Sequence, residues 1–438
     1  MKSVAFALTI SAATFAAGAA DLLDTYHAAQ GQDAVFAAAR AAQRAGQEKL
    51  PQGRSLLLPS VNLTANSTFN DSSVQYQSAP PTSSSSRYNS NGYGVSLVQP
   101  LFRQQNWLTY SEAGLQVAQT DAQFKNAEQD LILRVAQAYF DVLIAQDSVG
   151  LTQSQKTAIT EQLELAKRNF EVGSATITDT HEAQARYDLV VAQEVAAQSN
   201  LEIKKNALQQ LTNTMSGSLQ QLGQQFRPEM PQPPEMEKWV GQALSTNPQL
   251  LGAQAAAELA EKEVARSRSG HYPTLDLVAN YSNNSANGGS LGVGTDSRAS
   301  SIGVQLNMPL FQGGMTNSRW REAMANRDRA HDELENVRRT VALQTRQAYL
   351  GVVNGSAQVQ ALLQALKSSE SLLEASKLGQ EVGVRTNLDV LNAQQQLYAT
   401  RRDLYQAEYN YLLSQLRLKA AAGTLAEGDL VKVNQALY

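Results

Sequence analysis

The sequence predicts an α+β membrane protein written in two similar halves, each with a pair of membrane-type β-strands and a long helical hairpin. Three observations lead to this prediction. Short segments alternate apolar and polar residues, long proline-free segments repeat apolar residues at helical spacing, and both patterns occur twice in the same order. The composition suits long helices, since only 12 of the 438 residues are Pro.

Charge and cysteine content exclude several classes of protein. There are 36 Lys and Arg against 40 Asp and Glu, a net charge of -4, so no basic surface indicates a nucleic-acid partner. With no Cys, the chain has no disulfide, no thiol catalysis and no cysteine-bound metal centre. No phosphate-binding loop of the G-x-x-x-x-G-K-[ST] type occurs, so the chain does not power transport itself. We expect no cofactor and no metal.

The N-terminus has the pattern of an export signal. Lys2 precedes a short apolar stretch, Val4 to Phe15, and Ala17-Gly18-Ala19 fits a small-residue cleavage site. The apolar stretch is too short to span about 30 Å of hydrocarbon. We therefore assign residues 1–20 to a signal peptide and expect an exported mature chain.

Four segments alternate with a period of two. In the first, Val61 and Leu63 alternate with Asn62 and Thr64, which gives one apolar and one polar face. Transmembrane strands need about 9–11 residues of such alternation, with polar loops on one side. A small soluble sandwich is the alternative interpretation. The predicted strands lie near 60–76, 88–102, 273–283 and 298–311.

Each strand pair is preceded by a helix and followed by a long helical hairpin. The segment from Gln104 to about Phe170 has no Pro and repeats apolar residues at helical spacing, which predicts a rod about 100 Å long. A turn near 172–176 precedes a second helix, and the other half repeats this arrangement with a turn near 382–386. Apolar seams of this length indicate coiled-coil packing.

The two halves match at a nearly constant offset. Val172-Gly173 recurs as Val382-Gly383, 210 residues later, and Gln99 to Phe102 matches Met308 to Phe311. A stretch with four Pro separates the halves as a stiff linker. The predicted organisation is a signal peptide (1–20), a first repeat (21–226), a linker (227–235), a second repeat (236–425) and a C-terminal tail (426–438).

Four strands per chain cannot close a barrel. Every backbone N–H and C=O must be paired in lipid, so an open sheet cannot remain there and the chain must assemble with copies of itself. This argument does not distinguish a dimer from a trimer. The helices are expected on one side of the resulting barrel.

Several segments resemble the TolC family of outer-membrane channels over nearly the whole mature chain. They include Arg168 to Gly173, Gln184 to Asp188, Leu310 to Met315 and Val382 to Ala393. The resemblance implies a homotrimer with a 12-stranded transmembrane barrel in outer-membrane lipid, continued by a coiled-coil periplasmic tunnel. It also implies a Gram-negative outer-membrane location and an exit duct for an efflux pump or a type I secretion system. The implied partners are a periplasmic adaptor (membrane fusion protein) and an inner-membrane ABC or RND transporter.

The resemblance also implies the site residues. It places the pore aperture at Asp389 and Asn392, with Asn392 standing where a second acidic ring is common. A gate lock falls at Arg385 with partners Thr178 and Asp179, and Gln380 stands where a lock tyrosine is found. The remaining site is for adaptor docking, at Val172, Gly173, Ser174, Val382, Gly383 and Val384.

Simpler interpretations accompany these assignments. Asp179 and Asp389 each follow a turn and are candidates for helix caps, while Arg385 is a candidate solvated turn residue. The glycines are turn formers first.

We expect no enzyme. Gly288 to Gly292 matches G-x-S-x-G but lies in a polar loop, and neither His181 nor His331 has metal-ligand spacing. A periplasmic adaptor or a coiled-coil tether is the alternative function, although neither explains paired amphipathic strands.

Overall fold

The computed structural model describes residues 21–77, 79–80, 82–214, 219–223, 226–289 and 293–437. The predicted signal peptide lies outside them, as does part of the G-x-S-x-G loop. The first half contains α1 (Leu22–Gln32), α2 (Ala34–Gln47), α3 (Lys49–Ser55), β1 (Ser60–Tyr76), β2 (Thr82–Phe102), α4 (Gln104–Glu171) and α5 (Ile177–Thr212). The second half contains α6 (Met236–Thr246), α7 (Pro248–Arg268), β3 (Thr274–Ala286), β4 (Thr295–Asn307), α8 (Met315–Glu381), α9 (Asn387–Ala421) and α10 (Glu427–Asn434).

The four strands form one antiparallel sheet in the order β1-β2-β3-β4. Leu63 lies opposite Val95, and Val95 lies opposite Tyr281 on its other side. Directly opposed residues share a face, so these side chains form an apolar row across three strands. The adjacent row, Val61, Leu97, Ala279 and Ile302, crosses all four strands. The predicted two-faced sheet is therefore present.

Both outer strands of this sheet have a neighbour on one side only within the described residues. The ends of three strands differ from the sequence prediction, since β3 continues to Ala286 and pairs there with Thr295, where β4 begins. β2 begins at Thr82, because β1 continues to pair with it as far as Tyr76. β4 ends at Asn307, and residues 308–311 lie outside any strand, because β3 begins at Thr274, the partner of Asn307. Pairing thus decides the strand ends.

An ion pair ties the end of β2 to the start of β3. Arg103 follows β2 directly, and its Nε and Nη2 donate to the two carboxylate oxygens of Asp276 at 2.7 and 2.5 Å. Asp276 is only 7% exposed. This bidentate geometry is the strong form of an Arg–carboxylate pair.

Removing Asp276 should destabilise the sheet more than removing an exposed acid. Asp276→Ala leaves the Arg103 guanidinium without its partner, and we expect a loss of about 1.5–3 kcal/mol in unfolding free energy. Asp71→Ala removes an exposed pair with Arg87 on the same sheet and should cost about 1 kcal/mol or less. Thermal unfolding in detergent measures both, and equal losses would contradict the prediction.

The first helix of each half is broken rather than continuous. Asp33 ends α1 and accepts the N–H of Phe36 at 2.6 Å, while Arg134 Nη1 donates to Asp33 Oδ2 at 2.9 Å. The Arg134 guanidinium lowers the pKa of this buried carboxyl group. Pro248 similarly separates α6 from α7, because it has no N–H to continue a helix.

The chain divides into two compact units. The helical unit comprises the described residues up to Arg40, with Lys125–Pro248 and everything from Arg339 onward. The strand unit comprises Ala41–Phe124 and Gln249–Arg338. Each unit therefore draws on both halves of the chain. Among the described helices, none combines the length and hydropathy needed to cross a membrane.

The core of the helical unit surrounds two carboxyl groups. Phe140 and Tyr409 are buried with ring centroids 5.8 Å apart, and Tyr409 donates to Asp147 Oδ2 at 2.8 Å. Burial, together with the charge of Asp147, raises the pKa of Glu408 to about 7. Burial also raises the pKa of Asp147, although the Tyr409 hydroxyl opposes this. Ionising Glu408 therefore works against the folded state.

Stability should fall as pH rises toward neutrality because of Glu408. Its pKa is about 7 in the folded chain and near 4.5 when unfolded, so the loss begins above pH 4.5 and is complete above pH 7. Glu408→Gln removes this term and should be more stable than wild type at pH 8, by at most about 3 kcal/mol. Denaturant unfolding at pH 5 and pH 8 measures the difference. Glu374→Gln, at an exposed position on α8, is the control. An unchanged pH dependence in Glu408→Gln would contradict the assignment.

Candidate functional site

The two helix–helix turns, residues 172–176 and 382–386, have the same backbone geometry. Gly173 and Gly383 have φ of 75° and 78°, the left-handed conformation that L side chains rarely adopt. No atom lies within 4 Å of where a Cβ would stand at either glycine, so the backbone conformation alone requires glycine there. In both turns an N–H reaches a carbonyl five residues earlier at 2.8 Å, Ser174 to Asn169 and Val384 to Gly379. These are helix C-caps.

Each turn leads into a helix that begins with a capping box. The N–H and hydroxyl of Thr386 both donate to Asp389 Oδ2 at 2.8 Å, and the Asp389 N–H donates back to Thr386 Oγ1 at 3.2 Å. Thr176 and Asp179 make the same three bonds at 2.9, 2.8 and 3.3 Å. Thr176 and Thr386 are therefore the N-caps, and Asp179 and Asp389 complete the capping boxes from the N3 position within the single chain.

Capping does not remove the charge of Asp389. Bonds from the N–H and hydroxyl of Thr386 lower the pKa of this carboxyl group, with a smaller contribution from the charge of Arg385. The side chain is also 37% exposed. Asp389 thus remains an anion that faces solvent at the start of α9.

The predicted lock residues do not join the two hairpins within one chain. Arg385 Nη1 lies 3.7 Å from Asp389 Oδ1 in the first turn of α9, and in the described residues no hydrogen bond or ion pair joins Arg385 to Thr178 or Asp179. Gln380 Nε2 donates to Asn387 Oδ1 at 3.3 Å, again within its own turn. A lock between Arg385 and Asp179 therefore stays a prediction.

A contact that sequence reasoning missed joins α5 to α9. Arg186 Nη2 donates to Asn392 Oδ1 at 3.0 Å, and Nη1 donates to Gln395 Oε1. Asn392, predicted at the aperture, is thereby held by a guanidinium. Arg186 lies inside the Gln184 to Asp188 segment that carries the family resemblance, but no local pattern indicated its partners more than 200 residues away.

The packing beside this contact combines a small apolar cluster with unpaired polar atoms. Leu163, Ala166, Ala183 and Leu391 are buried together, with Tyr187 against them. Four buried polar atoms on α4, α5 and α9 have no hydrogen-bond partner in the described residues, and each such atom costs about 1–3 kcal/mol. They are Gln162 Oε1, Thr180 Oγ1, Asn387 Nδ2 and Gln394 Oε1. These unpaired atoms make the packing of α4, α5 and α9 around the cluster less stable than its apolar contacts alone imply.

The turns themselves present apolar side chains to solvent. Val172 and Val384 are each 77% exposed, and Val382 is 64% exposed. Ser174 beside them is exposed as well. Together with the two glycines, these are the residues predicted for adaptor docking.

The histidines noted in the sequence form no metal centre in the part of the chain that the structure describes. No group of three or more metal-ligating side chains occurs there. His331 Nε2 lies 3.1 Å from Glu261 Oε1, which is a single surface pair.

The capping box at Thr386 should contribute more to the stability of α9 than the ion pair between Arg385 and Asp389. Thr386→Ala removes the side-chain part of the capping box and should lower stability by about 1 kcal/mol. Arg385→Ala removes an exposed i,i+4 pair and should change stability by less than about 0.5 kcal/mol. Hydrogen exchange across residues 387–398 measures both effects. A larger loss in Arg385→Ala than in Thr386→Ala would mean that Arg385 has a structural role within its own chain.

The geometry defines a class: chains with a four-stranded two-faced sheet and two capped helical hairpins. The model of the family "Outer membrane efflux protein" matches residues 25–214 and again residues 239–424. The chain belongs to the outer membrane efflux protein family. This membership confirms the resemblance drawn from the sequence, and with it the outer-membrane location.

Individual relatives agree with this assignment. The chain is 35% identical to the outer membrane protein TolC of Vibrio cholerae, covering 98% of this chain and 96% of that protein. It is 34% identical to the alkaline protease secretion protein AprF of Pseudomonas aeruginosa, covering 97% and 88%. The outer membrane protein VceC of Vibrio cholerae has the same fold, with a TM-score of 0.78, 20% identity, and coverage of 92% and 96%. The names of these relatives describe outer membrane and secretion proteins.

Proposed function

We propose that three copies of the chain close a 12-stranded outer-membrane barrel, continued by a periplasmic tunnel of helical hairpins. The observation that carries this proposal is the sheet: one face is apolar, and β1 and β4 each have an unpaired edge within the described residues. Unpaired backbone groups are too costly in hydrocarbon, so β1 of one copy must pair with β4 of the next. Val61 and Leu63 on β1, and Ile302 and Val304 on β4, then face lipid.

The proposed assembly function is an exit duct for an efflux pump or a type I secretion system. Family membership supports it, as do relatives named for protease secretion, AprF of Pseudomonas aeruginosa and PrtF of Dickeya chrysanthemi. The two family matches also support an internal repeat. A periplasmic adaptor or a tether, the other functions considered, finds no support among these relatives.

Partners and gate belong to the same proposal. An inner-membrane ABC or RND transporter delivers cargo, and an adaptor docks on the turns, where the valines are exposed and the glycines set the backbone. Asp389 of each copy contributes to an anionic ring at the entrance, where like charges in a narrow mouth focus the potential. Arg385 locks the entrance by binding Thr178 and Asp179 of a neighbouring copy. Gln380 occupies the position where the family has a lock tyrosine.

Single-channel recording of the purified protein in a planar bilayer tests the duct. The expected result is small, stable, cation-favouring steps, because the entrance is narrow and acidic. Arg385→Glu should enlarge the steps, since it breaks the lock while changing the stability of its own chain little. A folded, detergent-stable oligomer without conductance would overturn the duct, and unchanged steps in Arg385→Glu would overturn the lock.

The aperture role of Asp389 can be separated from its capping role. Asp389 is the N3 residue of the capping box, and the amide oxygen of Asn can still accept the Thr386 N–H, so Asp389→Asn removes the charge and keeps that bond. We expect a marked fall in cation selectivity, measured as reversal potential, with hydrogen exchange of α9 nearly unchanged. Asp389→Ala should lower cation selectivity and also speed hydrogen exchange of α9. Unchanged selectivity in Asp389→Asn would mean that this side chain only caps a helix.

A further inference from the structure

We propose that Arg186 is a positioning residue of the entrance, a clasp that holds the start of α9 on α5 and sets the charge beside Asp389. The inference rests on the proposed duct function. It starts from one observation: a single guanidinium on α5 binds two side chains of α9, Asn392 and Gln395.

The chemistry of the clasp determines its geometry. A guanidinium only donates hydrogen bonds, so both amides must turn their oxygens toward Arg186. Its planar fork reaches two acceptors in a fixed arrangement, which a lysine cannot reproduce. Asn392 and Gln395 stand three residues apart on α9, neighbours on one helical face, so one fork spans them. The clasp therefore fixes both the distance and the rotation of α9.

The position of the clasp relates it to opening of the entrance. Ala183 on α5 and Leu391 on α9 are buried in one apolar cluster, and each lies within three residues of a clasp member. The same helices carry the unpaired buried atoms Thr180 Oγ1 and Gln394 Oε1. Weakly satisfied packing makes separation of α9 from α5 easier, and the clasp is the directional interaction that opposes it. Breaking the clasp should therefore favour the separated arrangement.

The charge of the clasp is not neutralised by its own partners. Both partners are neutral amides, and Arg186 forms no ion pair in the described residues. Asn392 follows Asp389 by three residues, about 4.5 Å along the helix axis. One positive charge per chain thus stands close to one negative charge per chain at the entrance. An aspartate at position 392 would instead pair with Arg186, so Asn392 leaves this cation active in the mouth.

Two measurements on the full-length mature protein test the clasp. Arg186→Gln should enlarge single-channel steps and raise cation selectivity. It should also speed hydrogen exchange at residues 387–398 by about tenfold, the factor that a lost hydrogen bond to a charged group supports. Arg186→Lys keeps the charge but not the fork, so steps should enlarge while selectivity stays near wild type. Arg402→Gln is the control, because Arg402 lies on α9 and, among the described residues, its hydrogen bonds go to the neighbouring Asp403.

A double-mutant cycle distinguishes the clasp from an arginine that only stabilises the fold. Asn392→Asp in the wild-type background should pair with Arg186, which makes steps smaller and alters selectivity little. In the Arg186→Gln background the same change should raise cation selectivity and leave the steps large. Additive effects of the two substitutions would overturn the clasp.

Hydrogen exchange separates this proposal from the duct itself. Exchange needs no pore, so faster exchange in Arg186→Gln, from a protein that does not conduct, supports the clasp and overturns the duct. A conducting protein in which Arg186→Gln and Arg402→Gln both match wild type in steps and exchange overturns the clasp and leaves the duct intact.

Discussion

Backbone hydrogen bonding at the edges of the sheet is the constraint on which the rest of the structure depends. The pairing β1-β2-β3-β4 satisfies the inner strands and leaves one edge of β1 and one edge of β4 without a partner in the described chain. Such edges invite pairing with another chain in water and require it in lipid. The apolar row from Val61 to Ile302 supports the proposal that the paired assembly faces hydrocarbon. The proposed self-assembly rests on this sheet rather than on any particular side-chain contact.

The backbone groups at the helix ends must also be hydrogen-bonded, and here turns and side chains supply the partners. Long helices leave unpaired N–H and C=O groups at each end, and the two turns satisfy them with a left-handed glycine followed by a threonine–aspartate capping box. The resulting turns are sharp and locally self-sufficient, so their valines are not needed for folding and remain exposed. Surfaces that folding does not use are available for partners.

Between these well-satisfied parts lie helix ends that are held less firmly. Buried polar atoms there have no hydrogen-bond partner in the described residues, namely Gln162 Oε1, Thr180 Oγ1, Asn387 Nδ2 and Gln394 Oε1. Marginal packing of this kind is what a movable element needs, since a fully satisfied core would resist rearrangement. Under the proposed clasp, the capping boxes keep the turns intact, and Arg186 opposes separation of α9 from α5.

Much of the fold and of the site could be predicted from the sequence, because the signals are local and repeated. Alternation around Leu63 defined a two-faced strand, and the Val172-Gly173 pair with its second copy defined both turns. Strand ends escaped prediction, since Thr82 and Asn307 are decided by pairing partners rather than by their own segments. The break at Asp33 escaped for a similar reason: Arg134, a hundred residues away, stabilises the carboxylate there.

Element types and their doubled order could be inferred from the sequence alone, because periodicity and turn residues are properties of local segments. Which side chains meet across helices became known only from the folded chain. Arg385 pairs with Asp389 in its own turn within one chain, whereas Arg186 reaches Asn392 across more than 200 residues. Such contacts depend on helix rotation and packing distance, and no local pattern encodes either.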